Sequence, residues 1–279
     1  MNCKEALAQV RQILVDNHIE DASLEGEILL RHVLGIGRAR LFTDLDYDVC
    51  PSKIKTLLKL VQRRVNGEPS AYITGSREFY GLDFKVNRHV LIPRPETELL
   101  VEKAIDFCRQ SSCSKIADIG TGCGAIAISL AVNLPSAWIC ATDISARALK
   151  VAKENCVKHG VADRVTLLPG DLLEPLPGPV EMIVANLPYV RESDITSGGA
   201  LSFEPRMALN GGERGLDKIK LLCRQAAEKL IGNGSLLLEI GQGQAEEVKT
   251  ILHKYFPAAL IKVENDLAGI ERVVSLRLT

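Results

Sequence analysis

The sequence predicts an α/β fold: a doubly wound, mostly parallel sheet of seven strands, preceded by a small helical bundle and a β-hairpin. Three observations carry this expectation. After Lys115, apolar runs of strand length alternate with helical stretches, the succession that builds parallel units covered on both faces. The first of those runs ends in Gly120, Gly122 and Gly124, and the glycines open a helix. Residues 1–72, in contrast, show helical periodicity only.

The elements follow in order. Leu7, Val10 and Leu14 stand at i, i+3 and i+7 on a first helix. A second spans Ala22–Leu34, with Gly35 and Gly37 suited to its end. A third follows Pro51 and Ser52, gathers Ile54, Leu57, Leu58, Val61 and Val65 on one face, and stops at Asn66-Gly67. Along it Lys55, Lys59 and Arg63 recur every fourth residue, with Lys53 and Arg64 nearby, as a solvated face or as a docking stripe for an acidic partner. Phe79, Gly81 and the alternation Leu82, Phe84, Val86 predict a hairpin over 77–86. Pro95 suits a first helical turn, and Glu96 and Glu98 suit the positive end of its dipole. Strands are expected over 116–120, 137–143, 165–171, 180–186, 235–240, 258–264 and 272–278, with helices notably over 125–132, 146–159 and 216–231. The expected domains are a helical one at 1–72, a hairpin linker at 73–92 and a catalytic one at 93–279.

Composition narrows the classes of function. The 279 residues are 46% hydrophobic and 25% charged with a formal net charge of −1, which suits a globular protein and gives no global case for binding nucleic acid or anionic membrane. No apolar run approaches bilayer-spanning length, and no secretory leader is visible. The eight cysteines are scattered without a Cys-x-x-Cys pair, and the five histidines complete no metal-ligand spacing. A reduced, cytoplasmic, metal-free protein is the expectation.

The loop "DIGTGCGA" has two readings. As Gly-x-Gly-x-x-Ala it fits a dinucleotide site; as Gly-x-Gly-x-Gly it fits the S-adenosylmethionine loop of class I methyltransferases. Asp143, at the end of the second strand, serves ribose hydroxyls in either. Asp171, just past the third strand, matches the acid that reads adenine in class I methyltransferases, or else is a cap or turn residue. The fourth strand runs into Asn186, Leu187, Pro188 and Tyr189. Alone, that is a strand cap before a proline turn. Beside a cofactor loop it becomes a holder for a planar nitrogen. The Asn186 side-chain oxygen and the Leu187 carbonyl can accept from one NH₂ group, favouring the positive charge that grows as nitrogen attacks a methyl. Pro188 stiffens the loop, and Tyr189 offers an aromatic face.

The segments "GEPSAYITGSREFYGLDFKVNRHVLIPRPETELLVE", "DIGTGCGAIAISLA", "ATDISARAL", "FEPRMALNGGERGLD" and "DLAGIERVV", with Asn-Leu-Pro-Tyr, resemble the release factor glutamine methyltransferases from about Arg63 onward. The resemblance implies a class I catalytic domain with an antiparallel last strand, and an N-terminal bundle that contacts a peptide-chain release factor. It also implies methyl transfer from S-adenosyl-L-methionine, leaving S-adenosyl-L-homocysteine, to the glutamine amide nitrogen of a Gly-Gly-Gln motif. By position Gly120, Thr121, Gly122, Cys123 and Gly124 would wrap the cofactor's methionine moiety. Asp143 would take its ribose, and Asp171 with Leu172 its adenine. Asn186, Leu187, Pro188 and Tyr189 would hold the substrate glutamine, with Asn186 also at the cofactor and Asn186, Pro188 and Tyr189 catalytic. Two positions depart from the family pattern: Leu187 replaces a proline, and Phe203 stands where tyrosine is usual. The alternatives are an adenine-N6 methyltransferase on DNA or RNA, an inactive adaptor with the same fold, and a nicotinamide-dependent oxidoreductase.

Overall fold

A computed structural model describes residues 1–111, 113–195 and 200–278, which fall into two compact units. The first takes Met1–Ser76 with the turn Ala200–Phe203. Its helices are α1 (Cys3–Asp16), α2 (Ala22–Leu34), α3 (Arg38–Thr43), α4 (Pro51–Val65) and α5 (Ser70–Thr74). Asn2 and Glu5 form a capping box that satisfies the free amides at the start of α1. Val10 and Leu14 of α1, Leu29 and Leu30 of α2, and Leu57 and Val61 of α4 then build one buried core. Gly35 caps α2 in the left-handed conformation, but Gly37 does not belong to that end: it is the N-cap of α3. The short helices α3 and α5 have too few turns to show a periodic stripe, so the expected third helix is in fact α4. Phe203 lies against Gly67, where an added Cβ would come 3.4 Å from its ring.

In the charged row on α4, Lys55 and Lys59 are exposed. Arg63 instead grips Glu68 with two hydrogen bonds of 2.7 Å, Arg64 pairs with Glu25, and Lys53 donates to the Leu34 carbonyl.

The second unit opens at Arg77, within the hairpin β1 (Ser76–Phe79) and β2 (Leu82–Lys85), and continues into α6 (Thr97–Ser111). Pro95 is not in the first turn of that helix; it sits in the preceding turn, and its carbonyl accepts from the Glu98 amide. There follow β3 (Lys115–Ile119), α7 (Ala125–Asn133), β4 (Trp138–Asp143), α8 (Ala146–Lys158), β5 (Val165–Pro169) and β6 (Val180–Ala185). The rest is α9 (Arg206–Leu209), α10 (Asp217–Lys229), β7 (Leu230–Glu239), α11 (Ala245–Tyr255), β8 (Leu260–Asn265) and β9 (Glu271–Arg277). The seven-stranded sheet has the order β5-β4-β3-β6-β7-β9-β8. Pairs from β5 to β7 are parallel, while β9 runs antiparallel to both β7 and β8. The helix α7 is buried from Ala125 to Ala131, as its apolar sequence all round requires.

Strand order reverses at β3, whose neighbours are β4 and β6. Ligands of open α/β sheets bind outside the carboxyl ends of strands at such a point. Register places Ile119 beside Ala185, so the residues after them, Gly120 and Asn186, leave the sheet side by side. Gly120, Asp171 and Asn186 thus lie just past their strands, where the backbone has already turned into loops.

Candidate active site

A cavity of about 310 Å³ opens at this sheet edge, lined by Gly120, Gly122, Asp143, Asp171, Leu172, Asn186, Leu187 and Pro188 among others. Gly120, Gly122 and Gly124 all adopt positive φ, 74°, 57° and 86°, which a residue with a Cβ resists. Asp143 shapes the loop from the next strand: its Oδ2 accepts from the Gly122 amide and its Oδ1 from the Ser145 amide. Burial raises the Asp143 pKa, and those two amides work against the rise. Asp118, fully buried, accepts from the Thr121 hydroxyl at 2.6 Å and from the Ala127 amide, tying loop to helix. Thr121, Cys123 and Gly124 stand outside the cavity lining. The Cys123 thiol is buried, which pushes its pKa up to about 12, and its carbonyl accepts from Asn155. Asn155 also exchanges hydrogen bonds with the Lys85 backbone and so joins the glycine loop to the hairpin.

On the far side, Asp171 pairs with Lys218 at 3.1 and 3.2 Å, a partner with no signal in the sequence. Leu172 follows in the left-handed region at φ 50°, a costly conformation for a branched side chain. Ile144, 56% exposed, presents an apolar side chain to the same cavity.

The Asn186 amide donates from Nδ2 to the Thr97 hydroxyl at 3.0 Å. Among the described residues nothing donates to Asn186 Oδ1 or to the Leu187 carbonyl. Leu187 is 4% exposed and packs near Gly120, filling the place of the usual proline with apolar volume. The Tyr189 ring, expected as a face for the substrate amide, does not line the cavity; its hydroxyl points to Glu239 Oε1 at 3.3 Å. Burial pushes Tyr189 up to about 12, so the hydroxyl keeps its proton and donates.

A second loop backs this one. Gly211 donates to the Val190 carbonyl, and a Cβ at Gly211 would fall 2.5 Å from the Pro188 carbonyl oxygen. A Cβ at Gly215 would fall 2.2 Å from the Tyr189 carbonyl oxygen, which also accepts from Gln244. Glu204, 6% exposed, takes the Ile92 amide at 3.0 Å and pairs with Arg94. The segments 91–97 and 204–215 are therefore bracing around the Asn186 loop. Neither segment announces this bracing in sequence: 91–97 reads only as the approach to a helix. For Glu239 a signal did exist: an acid ending an apolar strand at the sheet's carboxyl edge.

A family model described as the PrmC N-terminal domain matches residues 5–75, and one described as the methyltransferase small domain matches 96–203. The release factor glutamine methyltransferase of Moorella thermoacetica is 41% identical over 98% of this chain and 97% of its own. The chain belongs to the release factor glutamine methyltransferase family. A further member, from Bradyrhizobium diazoefficiens, is 40% identical over 93% of this chain and 89% of its own. The solved ribosomal protein L11 methylase of Lactobacillus delbrueckii subsp. bulgaricus shares the fold, with a TM-score of 0.50 at 20% identity over 70% of this chain and 83% of its own. Within the family, this chain is a methyltransferase whose sheet has the antiparallel last strand that the resemblance implies.

Proposed function

We propose that the chain transfers a methyl group from S-adenosylmethionine to the side-chain amide nitrogen of the glutamine in the Gly-Gly-Gln motif of peptide-chain release factors, acting in the cytoplasm. One observation carries the reading: Asn186 and Leu187 both line the cavity beside the glycine loop, and among the described residues nothing donates to the Asn186 Oδ1 or to the Leu187 carbonyl. A carboxamide NH₂ has two hydrogens to give, and two acceptors fix both its position and its plane.

The cavity residues suit the cofactor chemically. Left-handed glycines leave the loop backbone open to close approach, Asp143 and Asp171 bring carboxylates for hydroxyl and amine donors, and Ile144 brings an apolar surface for a flat ring. The group when bound supplies an electrophilic methyl on a sulfonium. What the chain's own residues do is hold the amide nitrogen in line, and stabilise with two oxygen dipoles the positive charge it develops. The methylated nitrogen is acidic enough to lose its proton to water, so no strong base is needed. Tyr189 serves from behind the loop, through Glu239.

The test is label transfer from S-adenosylmethionine to an intact release factor, to the same factor with its Gly-Gly-Gln glutamine changed to alanine, and to an adenine-containing oligonucleotide. Label on the intact factor alone is expected. Asn186→Ala should slow that transfer by roughly 10²–10³ while cofactor affinity survives. Label on the oligonucleotide, or near-full activity in the variant, would overturn the reading.

A further inference from the structure

Three main-chain segments meet at one side chain behind the Asn186 loop. Gln244, 8% exposed, stands immediately before α11. Its Oε1 accepts at 2.8 Å from the amide of Gly241, just past the end of β7. Its Nε2 donates to the Tyr189 carbonyl at 3.2 Å and reaches the Gly215 carbonyl at 3.5 Å. Among the described residues neither carbonyl has another donor. Two glycines make room for the amide: a Cβ at Gly215 would fall 2.7 Å from Nε2, and one at Gly241 would fall 3.0 Å from Oε1.

This arrangement has one solution. Every partner is a main-chain group, and an N–H donates and a C=O accepts at any pH, so no titrating neighbour enters into the rotation of the amide. A buried carbonyl left unpaired is costly, and among uncharged side chains a carboxamide brings both an acceptor and two hydrogens. The loop on either side of Tyr189 is already held. The Pro188 carbonyl oxygen packs against Gly211, and Val190 donates to the Leu209 carbonyl and accepts from the Gly211 amide. Between these points Gln244 sets the direction of the Tyr189 carbonyl. Because the Pro188 ring fixes φ, few torsions separate that carbonyl from the one on Leu187, and a shift of one passes to the other.

We propose that Gln244 is a positioning residue for the acceptor glutamine: by drawing the Tyr189 and Gly215 carbonyls onto one amide anchored at the end of β7, it sets where Asn186 and Leu187 stand at the cavity. This rests on the proposed transfer to an amide nitrogen. Gln244 does not line the cavity, so it acts only through the loop.

The experiment exchanges the donor. Gln244→Glu keeps the shape. Ionised, it sets a carboxylate oxygen against two carbonyl oxygens; protonated, it gives one hydrogen to Tyr189 and still accepts from Gly241. Burial raises such a carboxyl above its ordinary range, so the donor is lost as pH rises. Gln244→Met fills the space with no donor at any pH. Single-turnover methylation of an intact release factor is followed from about pH 6 to about pH 9, where circular dichroism shows the variants folded. Each rate is divided by the wild-type rate at the same pH, which removes the titration of Tyr189 and Glu239 that all the proteins share. Gln244→Met is expected to be about tenfold slow throughout, and Gln244→Glu to go from within about threefold of wild type at the acid end to at least about tenfold slow at the alkaline end. Affinity for S-adenosyl-L-homocysteine should stay within about twofold of wild type in both. A Gln244→Glu ratio that does not change with pH, or a wild-type rate in Gln244→Met, overturns the proposal. So does affinity that falls in step with the rate, because it marks a general loosening of the site. If Gln244→Glu does not fold, Gln244→Met decides by its rate against its affinity. Failure of the wild-type protein to methylate the factor would instead overturn the transfer reading itself.

Discussion

Gly211 is outside the left-handed region, so space and not backbone freedom demands the glycine there. With the Pro188 carbonyl oxygen 2.5 Å and the Gly215 Cα 2.8 Å from where a Cβ would sit, Gly211→Ala must push the substrate loop or itself out of place. Overpacking of this kind costs about 1–3 kcal/mol, to be measured by urea unfolding. A loop displaced by a few tenths of an ångström should also slow methyl transfer by at least about tenfold, since misplacement of about 1 Å can cost roughly 10². Asp118 supports a different expectation. Burial raises its carboxyl to about 7, with Thr121 and Ala127 pulling down and Asp143 pushing up, and its Oδ1 has no partner among the described residues. A folded pKa above the unfolded value means stability that is complete below the ordinary carboxylate value of 3.8 and lost as pH rises through about 7. Between pH 5 and pH 8 the wild type should lose up to about 3 kcal/mol relative to Asp118→Asn, read as the changing gap between their urea midpoints. A constant gap would show that Asp118 does not titrate in this range.

Among the elements, α4 has the most evident unassigned face. Lys55 and Lys59 are exposed and make no ion pair among the described residues, while Arg63 is bound to Glu68. We propose that the two lysines form the part of the row available to an acidic surface on the release factor. Lys55→Glu with Lys59→Glu should weaken turnover on a whole factor about tenfold, while a short Gly-Gly-Gln peptide turns over as before; equal effects on both would return the row to a solvated face. Helices of this length were legible because apolar residues repeat along them: the bundle stripe Val10 and Leu14, or Leu57 and Val61, shows in the sequence and is buried in the fold. The four to six residues of α3, α5 and α9 make too little stripe to read. The strands expected to end at Gly120, Asp171 and Asn186 ran one or two residues long, because these residues look like strand termini and act as loop residues, whereas β7 starts at Leu230, five residues before the expected 235 and inside the helix expected over 216–231, and β8 is shifted to 260–265.

For the whole molecule, alternating strand and helix spoke for the sheet, and its neighbours β3 and β6 stand where the doubly wound expectation puts them. The candidate site was legible as far as residues that touch the cavity: Gly120, Asp143, Asp171 and Asn186 all do. What lay behind them was not. Thr97 is 89 positions from Asn186, and Tyr189 is 50 from Glu239; a hydrogen bond across such intervals leaves no spacing to recognise. Lys218 was hidden for the same reason, 47 positions from Asp171.

The insertion of β9 between β7 and β8 also imposes a calendar on the chain. β8 precedes β9 in the chain but pairs only with it, so Leu260–Asn265 has no place in the sheet until Glu271–Arg277 is present. Through the same interval the edge of β7 at Leu236, Leu237 and Leu238 is bare, and open strand edges recruit whatever strand comes near. The hairpin turn of Asp266, whose carboxylate collects the Ala268 and Ile270 amides and the Arg272 guanidinium, keeps β8 and β9 adjacent in sequence, so the pairing that fills this edge is a local one.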